Sequence, residues 1–282
     1  MPQTPFPLGR VQHHDPRNAE FAIGERPSWA VKSASWAREV PIFDQGQLGS
    51  CVGNAAAGWV ATDNADRRGL QRVVVSDSVT LTGSGSFDGN YRATTTIPVD
   101  EALAVRAYSL ATTLDAFVGA YPPDDTGTDG PSGAKALTKL GLAGKYLHAF
   151  SVSALQSALQ KGPVMWGTVW YNSMFDLDAH NVLVVNPSSG EAGGHELLIT
   201  AWDKASDVYT VANSWAESWG DHGYCYVKGP DMKSLLGKGG DLTQPVSVPA
   251  PPDPANVTDA QLYAAFKQFQ AVAAAWASTR QV

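Results

Sequence analysis

The hydrophobic periodicity of the chain changes near residue 163, and this change restricts the fold more than any single residue does. Before it, apolar residues recur at helical spacing. Val52, Ala55, Ala56, Trp59 and Val60 follow Cys51 in this way, Arg67 and Arg68 suit the negative end of a helix dipole, and Gly69 is a natural stop. Further helical patterns cover about 99 to 118, 132 to 140 before Gly141, and 153 to 161 before Gly162-Pro163. Beyond that point the period shortens to short β-prone runs, Val164 to Trp170, Val182 to Val185, Leu197 to Trp202, Val208 to Ala212 and Tyr224 to Val227, divided by turn residues. Helices first and strands later predict an α+β fold: a helical lobe, an antiparallel β-sheet lobe, and a cleft between them. Residues 73 to 98, with Val73-Val74-Val75, Val79, Leu81 and Gly83-Ser84-Gly85-Ser86, read as a β-hairpin or an exposed insertion.

Punctuation along the chain predicts four parts. Residues 1–40 are polar and proline-bearing and read as an irregular, surface-hugging strap in which Phe21-Ala22-Ile23 and Trp29 dock on the core. Residues 41–240 form the main domain. Residues 241–257 read as a stiff linker, because Pro245 to Pro254 carries five prolines. Residues 258–282 read as an amphipathic helix: Thr258 and Gln261 make a capping box, and Leu262, Phe266, Phe269, Ala273 and Trp276 one apolar stripe that needs a surface, in cis or on a partner.

Composition narrows the function classes. With 44% hydrophobic residues in 282, the chain can bury a full core. A formal net charge of -7 with no Lys/Arg run offers no electrostatic footprint for nucleic acid or for an anionic membrane. The N-terminus lacks a basic stretch followed by an apolar segment, so no signal peptide is expected and the protein is placed in the cytoplasm at synthesis. Two cysteines, Cys51 and Cys225, exclude a disulfide framework and a multi-cysteine zinc site, and no metal or cofactor is expected.

Four residues stand where chemistry is possible. A thiol at a helix N-terminus near an imidazole is activated by positive potential, and Cys51 opens the first helix behind the small residues Gly49 and Ser50. Gln45, six residues upstream, can donate to an oxyanion beside the Cys51 N–H. His195 follows Gly193-Gly194 and enters a strand, and Asn213 ends another, before Ser214-Trp215, where its amide can orient an imidazole. Taken singly, each has an ordinary role: an inert buried thiol, a solvated glutamine, one of six histidines, a turn asparagine.

Taken in order, these segments resemble the papain family of cysteine peptidases, whose signatures are a Gln-Gly-x-x-Gly-Ser-Cys loop, a Gly-His strand and an Asn-Ser-Trp-x-x-x-Trp-Gly strand. The resemblance spans about Pro41 to Val227 and implies Gln45, Cys51, His195 and Asn213 as catalytic residues, hydrolysing peptide bonds of a peptide or protein substrate through a thioester. It further implies Trp215 as the indole shielding the His–Asn bond, Trp219 on the leaving-group side, Gly193 and Gly194 as space beside the reacting bond, and Thr128, Asp129 and Gly130 in the wall that pairs with substrate backbone. Four departures stand out: Leu48 for a cysteine, Val52 for a tryptophan, Ala216 for a glycine, and Glu196 where a small residue is expected. The lead-in before Cys51 is shorter than the family's inhibitory pro-domain, so the resemblance is to compact bacterial or phage members. Two other outcomes fit the same residues. One is a structural or recognition component of a large assembly, such as a virus particle, docked by the C-terminal helix; the other is acyl transfer to an amine, or cleavage of a cell-wall peptide cross-link, in place of simple hydrolysis.

Overall fold

A computed structural model describes residues 6–81, 89–248 and 267. The expected turn at 83–86, most of the proline-rich segment and, Lys267 apart, the C-terminal helix lie outside the described residues. Residues 6–40 are mostly irregular, with 3-10 turns at Pro16–Phe21 and Ser28–Ala30 and a two-residue strand β1 at Ala34–Ser35. The first lobe then contains helix α1 (Cys51–Ala61), the hairpin β2 (Arg72–Leu81) and β3 (Gly89–Pro98), and helices α2 (Glu101–Ala111) and α3 (Gly130–Lys139). The second lobe contains β4 (Ala143–His148), α4 (Val152–Ala158), β5 (Val164–Tyr171), β6 (Glu191–Asp203), β7 (Val208–Ala212), β8 (Tyr224–Lys228), α5 (Gly229–Leu236) and β9 (Asp241–Ser247).

Six strands run in the spatial order β4-β9-β5-β6-β7-β8, antiparallel throughout, with β1 paired to β6. Strand alternation sorts the side chains into two cores. Leu197 and Ile199 of β6, Trp166 of β5 and Val211 of β7 face the second-lobe core with Trp170, Tyr209, Trp215 and Leu242. Their neighbours Leu198, Met165 and Ala212 face the other way and join Val52, Trp59, Leu103 and Leu137 of the helical lobe. The sheet is thus buried on both faces, and α1, every residue of which is buried, lies against it. Small residues let the helices close in: a Cβ on Gly53 would strike the Ala104 carbonyl of α2, and one on Gly133 would press 2.6 Å from the Val52 side chain.

Several expectations need correction. Helix α1 ends at Ala61, well short of Gly69, because Thr62 turns extended and its hydroxyl bonds back to the Gly58 carbonyl at 2.7 Å. Arg67 still meets the end of the helix, donating to the Val60 carbonyl at 3.0 Å from the loop that follows. Val182 to Val185 is no strand. Asp178 accepts the Val182 N–H at 2.9 Å, Ser173 Oγ donates to the Val184 carbonyl at 2.6 Å, and the run forms isolated bridges to Leu177 and Tyr226 in place of a ladder. The sheet strand that begins at Glu191 is longer than the expected 197 to 202 and includes the Gly193-Gly194-His195 segment.

The linker boundary is also moved. Asp241 to Ser247 is not linker but an inner strand, pairing with β4 at Thr243 to Ser247 and with β5 at Asp241 to Thr243. Pro245 is tolerated because β5 pairing has ended by that residue, so its missing N–H faces no ladder on that side.

Candidate active site

The N-terminus of α1 carries Cys51, and the Ser50 side chain makes no cap bond to the first turn. Backbone N–H groups of Glu196, Gly9 and Val52 are directed at the sulfur. Two residues before the cysteine, the Gly49 N–H donates to Asp125 Oδ2 at 2.8 Å while Tyr108 donates to the other oxygen of the same carboxylate at 2.5 Å. Neither Asp125 nor Tyr108 was singled out from the sequence.

Across the cleft, β6 presents His195 opposite Thr168 of β5. Its Nε2 lies 2.7 Å from Asn213 Oδ1. That oxygen also accepts the Ser214 N–H at 2.8 Å and cannot donate, so Nε2 carries the ring proton. Nδ1 has no hydrogen-bond partner and keeps its lone pair. Trp215 stacks on the imidazole at 4.6 Å between centroids and Trp170 meets it edge-on at 5.0 Å, which shuts water away from the His–Asn bond. Trp219 stands edge-on to Trp215 at 5.2 Å, one layer out from the histidine.

The glutamine loop is fastened to the end of β7. Gln45 N–H donates to the Ser214 carbonyl at 2.9 Å, and Ser214 Oγ donates to Gln45 Oε1 at 2.6 Å, so the amide nitrogen must point the other way. Ala216 N–H donates to the Phe43 carbonyl at 3.1 Å from a backbone with φ of 62°. Alanine there costs about 1–2 kcal/mol that glycine would not, so the departure at Ala216 is absorbed as local strain without loss of the loop contact.

The cleft is filled by the protein's own N-terminal segment, which corrects the expectation of a strap confined to the surface. Phe6 stacks on Trp215 at 4.4 Å and 9°. The Pro7 carbonyl lies 3.3 Å from Gln45 Nε2, which also donates to the Leu48 carbonyl at 2.8 Å. Gly9 crosses so close to the Gly49 carbonyl that a Cβ there would collide with it. Gly9 O accepts from Thr128 N–H at 2.9 Å, Val11 N–H donates to Thr128 O at 2.8 Å, and Arg10 N–H donates to Gly194 O at 3.1 Å. Leu8 rests against Gly193 and the Arg10 carbonyl against Gly194, where any side chain would intrude. Thr128, Gly193, Gly194 and Trp215 thus contact the strap, while Asp129 caps α3 through Ser132 N–H at 2.8 Å and meets His13 at 3.1 Å.

The same segment inserts Arg10 between carboxylates. Its Nη2 and Nε lie 2.5 and 3.1 Å from Asp241 Oδ2, and Nη2 donates to the Gly239 carbonyl at 2.8 Å. Gly130 and Gly167 form bare walls: a Cβ on Gly130 would come 2.7 Å from Glu196 Oε1, and one on Gly167 2.7 Å from Glu196 Oε2. Asp241 and Arg10 were missed because one lay in apparent linker and the other in an apparently featureless lead-in.

Burial shifts the ionisable groups of the cleft. Burial pushes the Cys51 thiol up to about 12, against the opposing pull of the three N–H groups. Burial lowers His195 to about 4, with the Asn213 bond acting in the other direction. Burial also drives Glu196 well above the ordinary carboxyl range, Asp241 adding to this and Arg10 opposing it. Cys225 is a second buried thiol, on β8 away from the cleft, raised to about 12 by burial alone. Among the described residues no group of His, Cys, Asp or Glu is placed to hold a metal, and no helix is long and apolar enough to cross a membrane.

Several known proteins resemble this chain in sequence or in fold. Cysteine proteinase 3 of Dictyostelium discoideum is 28% identical over 229 residues, which cover 78% of this chain and 61% of that protein. Gamete and mating-type specific protein A of the same organism is 33% identical over 76 residues, 27% of this chain and 16% of the relative. The matched segments thus span less than two thirds of either relative's length. Among solved structures, xylellain, a cysteine protease from Xylella fastidiosa, shares the fold with a TM-score of 0.63 at 14% identity, over 88% of this chain and 98% of its own. A recombinant stem bromelain precursor aligns with a TM-score of 0.51 at 13% identity, over 85% and 76% of the two chains. The sequence model of the papain family cysteine proteases matches residues 30–235, and with the two-lobe α+β architecture described above, the chain belongs to that family.

Proposed function

We propose that the protein is a cysteine peptidase in which Cys51 is the nucleophile, His195 its base and acid, Asn213 the residue that orients the imidazole, and Gln45 an oxyanion donor. The observation that carries this reading is the fixed imidazole. Its Nε2 proton is committed to Asn213 beneath Trp215, so the lone pair on Nδ1 is the one available to a thiol. In the reaction the thiol proton passes to Nδ1 and the sulfur attacks the peptide carbonyl. The C=O electrons move to oxygen, which the Gln45 amide and the Cys51 N–H receive. Collapse expels the amine, which takes the proton from His195 and leaves a thioester. Water, giving its proton to His195, then attacks the thioester; release of the acid returns the thiol. The Pro7 carbonyl, within reach of Gln45, stands in for a substrate carbonyl.

The strap makes the described state latent. On this reading the leaving group lies by Trp215, where Phe6 is stacked, and Trp219, so the strap runs with polarity opposite to a cleavable peptide, a direction that its parallel bridge to Thr128 fits. Turnover then requires its displacement. Mass spectrometry of peptide-library digests by wild type and Cys51→Ala tests the reading: cleavage products should appear with the first and vanish with the second. Equal digestion by both would remove Cys51 from the mechanism.

A further inference from the structure

Resting on the peptidase reading, we infer that the pocket filled by Arg10 is a guanidinium-selective substrate subsite, so that the displaced cleft prefers peptides with an arginine side chain opposite Thr128. Three independent features point there. First, the pocket is built of charge. Glu196 is fully buried and both its oxygens lack a hydrogen-bond partner, as does Asp241 Oδ1, although Arg10 is seated against them. Carboxyl groups buried together are costly, and a cation seated among them offsets that cost. Second, the space is shaped for a flat, branched cation: Gly130 and Gly167 leave the carboxylates bare on two sides, and any Cβ at Gly167 would sit 2.5 Å from Asp241 Oδ2 and 2.6 Å from Arg10 Nε. Guanidinium is planar and carries its donors in a fork, which suits two carboxylates at an angle better than a lysine ammonium does.

Third, the pocket belongs to the peptide track. Arg10 is the residue opposite Thr128, and its N–H bonds to Gly194, next to His195. Reversing the polarity of the chain along Thr128 exchanges a parallel for an antiparallel pairing, yet the residue opposite Thr128 still projects its side chain to the same side. Arg10 therefore acts as the strap's imitation of a substrate side chain. Glu196, the departure from a small residue after the histidine, acquires a role as a specificity residue together with Asp241, and both sit beside the reacting groups without touching the scissile bond.

The test uses the full chain with Arg10→Ala, which empties the pocket, and separately with Gly9→Val, which displaces the strap but keeps Arg10. Probes are fluorogenic peptide amides with arginine or citrulline, its neutral isostere, as the second residue on the acyl side of the scissile bond. Turnover of each probe is measured, and its binding to the Cys51→Ser form of the same proteins is read by fluorescence anisotropy. Charge-assisted bonds to two carboxyl groups predict about 10- to 100-fold preference for arginine in binding and in kcat/KM, falling towards one when Asp241→Asn or Glu196→Gln is added. Equal handling of the two probes in both backgrounds overturns the proposal and leaves the peptidase reading standing. Arginine-selective binding without turnover upholds the subsite and refutes the peptidase reading instead. Failure of folded protein to bind either probe overturns the subsite.

Discussion

Gly9→Val asks whether the strap is what silences Cys51. A Cβ at Gly9 would collide with the Gly49 carbonyl, and the obstacle is backbone on a loop whose N–H is tied to Asp125, so the strap must yield. In the covered state the thiol stands at about 12 against an ordinary 9.0. A full return to the ordinary value multiplies the thiolate present at neutral pH by about 10³. The less basic thiolate is intrinsically slower by about 0.4–0.5 log units per unit of pKa, so ionisation alone leaves a gain of roughly 30- to 60-fold. Access of reagent to a fully buried sulfur adds to this. The assay is iodoacetamide labelling followed by intact mass and peptide mapping, with Cys225, also buried and also near 12, as the internal control. Cys51 should label at least about 30-fold faster in Gly9→Val, with Cys225 untouched in both proteins. An unchanged Cys51 rate in folded Gly9→Val would refute the strap's role, and equal labelling of both thiols would show general loosening instead.

Gln45→Ala in the Gly9→Val background should lower kcat about 10- to 1000-fold with little change in KM, the loss expected when one oxyanion donor is removed; an unchanged kcat would place the oxyanion elsewhere. Acid should open the strap. His195 is held near 4 against an ordinary 6.5, so its contribution to the closed state is intact above 6.5 and is lost as pH falls towards 4. Glu196, whose value is raised in the closed state, contributes in the opposite sense, most at low pH and less as pH rises. Glu196→Gln should therefore steepen the acid opening, read by hydrogen exchange at the Arg10 and Val11 amides after correction for intrinsic rates. Protection independent of pH between 7 and 4 in both proteins would contradict the linkage.

The parts of the fold and site that were legible from sequence are those written in local pattern. The helical spacing after Cys51 and the β-prone runs at 164, 197, 208 and 224 mark elements whose buried faces repeat within a few residues, and α1, β5, β6, β7 and β8 fall there. Of the motif residues, Cys51 opens α1 and Asn213 follows the last residue of β7, positions visible in one dimension, whereas His195 lies inside β6 and is marked by its glycine pair and Gln45 lies in the loop before α1. What stayed hidden depends on distant partners. Asp241 looks like linker because Pro245 follows it, and only the short reach of β5 explains a proline in an inner strand. Arg10 and Gly9 carry no periodicity at all; their meaning comes from Asp241, 231 residues away, and from the Gly49 backbone. Arg67 was assigned the correct electrostatic partner but the wrong element, because Thr62 ends the helix before it.

The chemistry converges on one bond, a thioester between the substrate acyl group and Cys51. Full-length Gly9→Val, mixed with an activated peptide ester and quenched with acid within milliseconds to seconds, should gain the mass of one acyl group. Peptide mapping should place that group on Cys51, and it should disappear as the free acid forms. The same experiment on Gly9→Val with Cys51→Ala should give neither adduct nor product. An adduct on any other residue, or hydrolysis persisting in that double variant, would contradict Cys51 as the nucleophile.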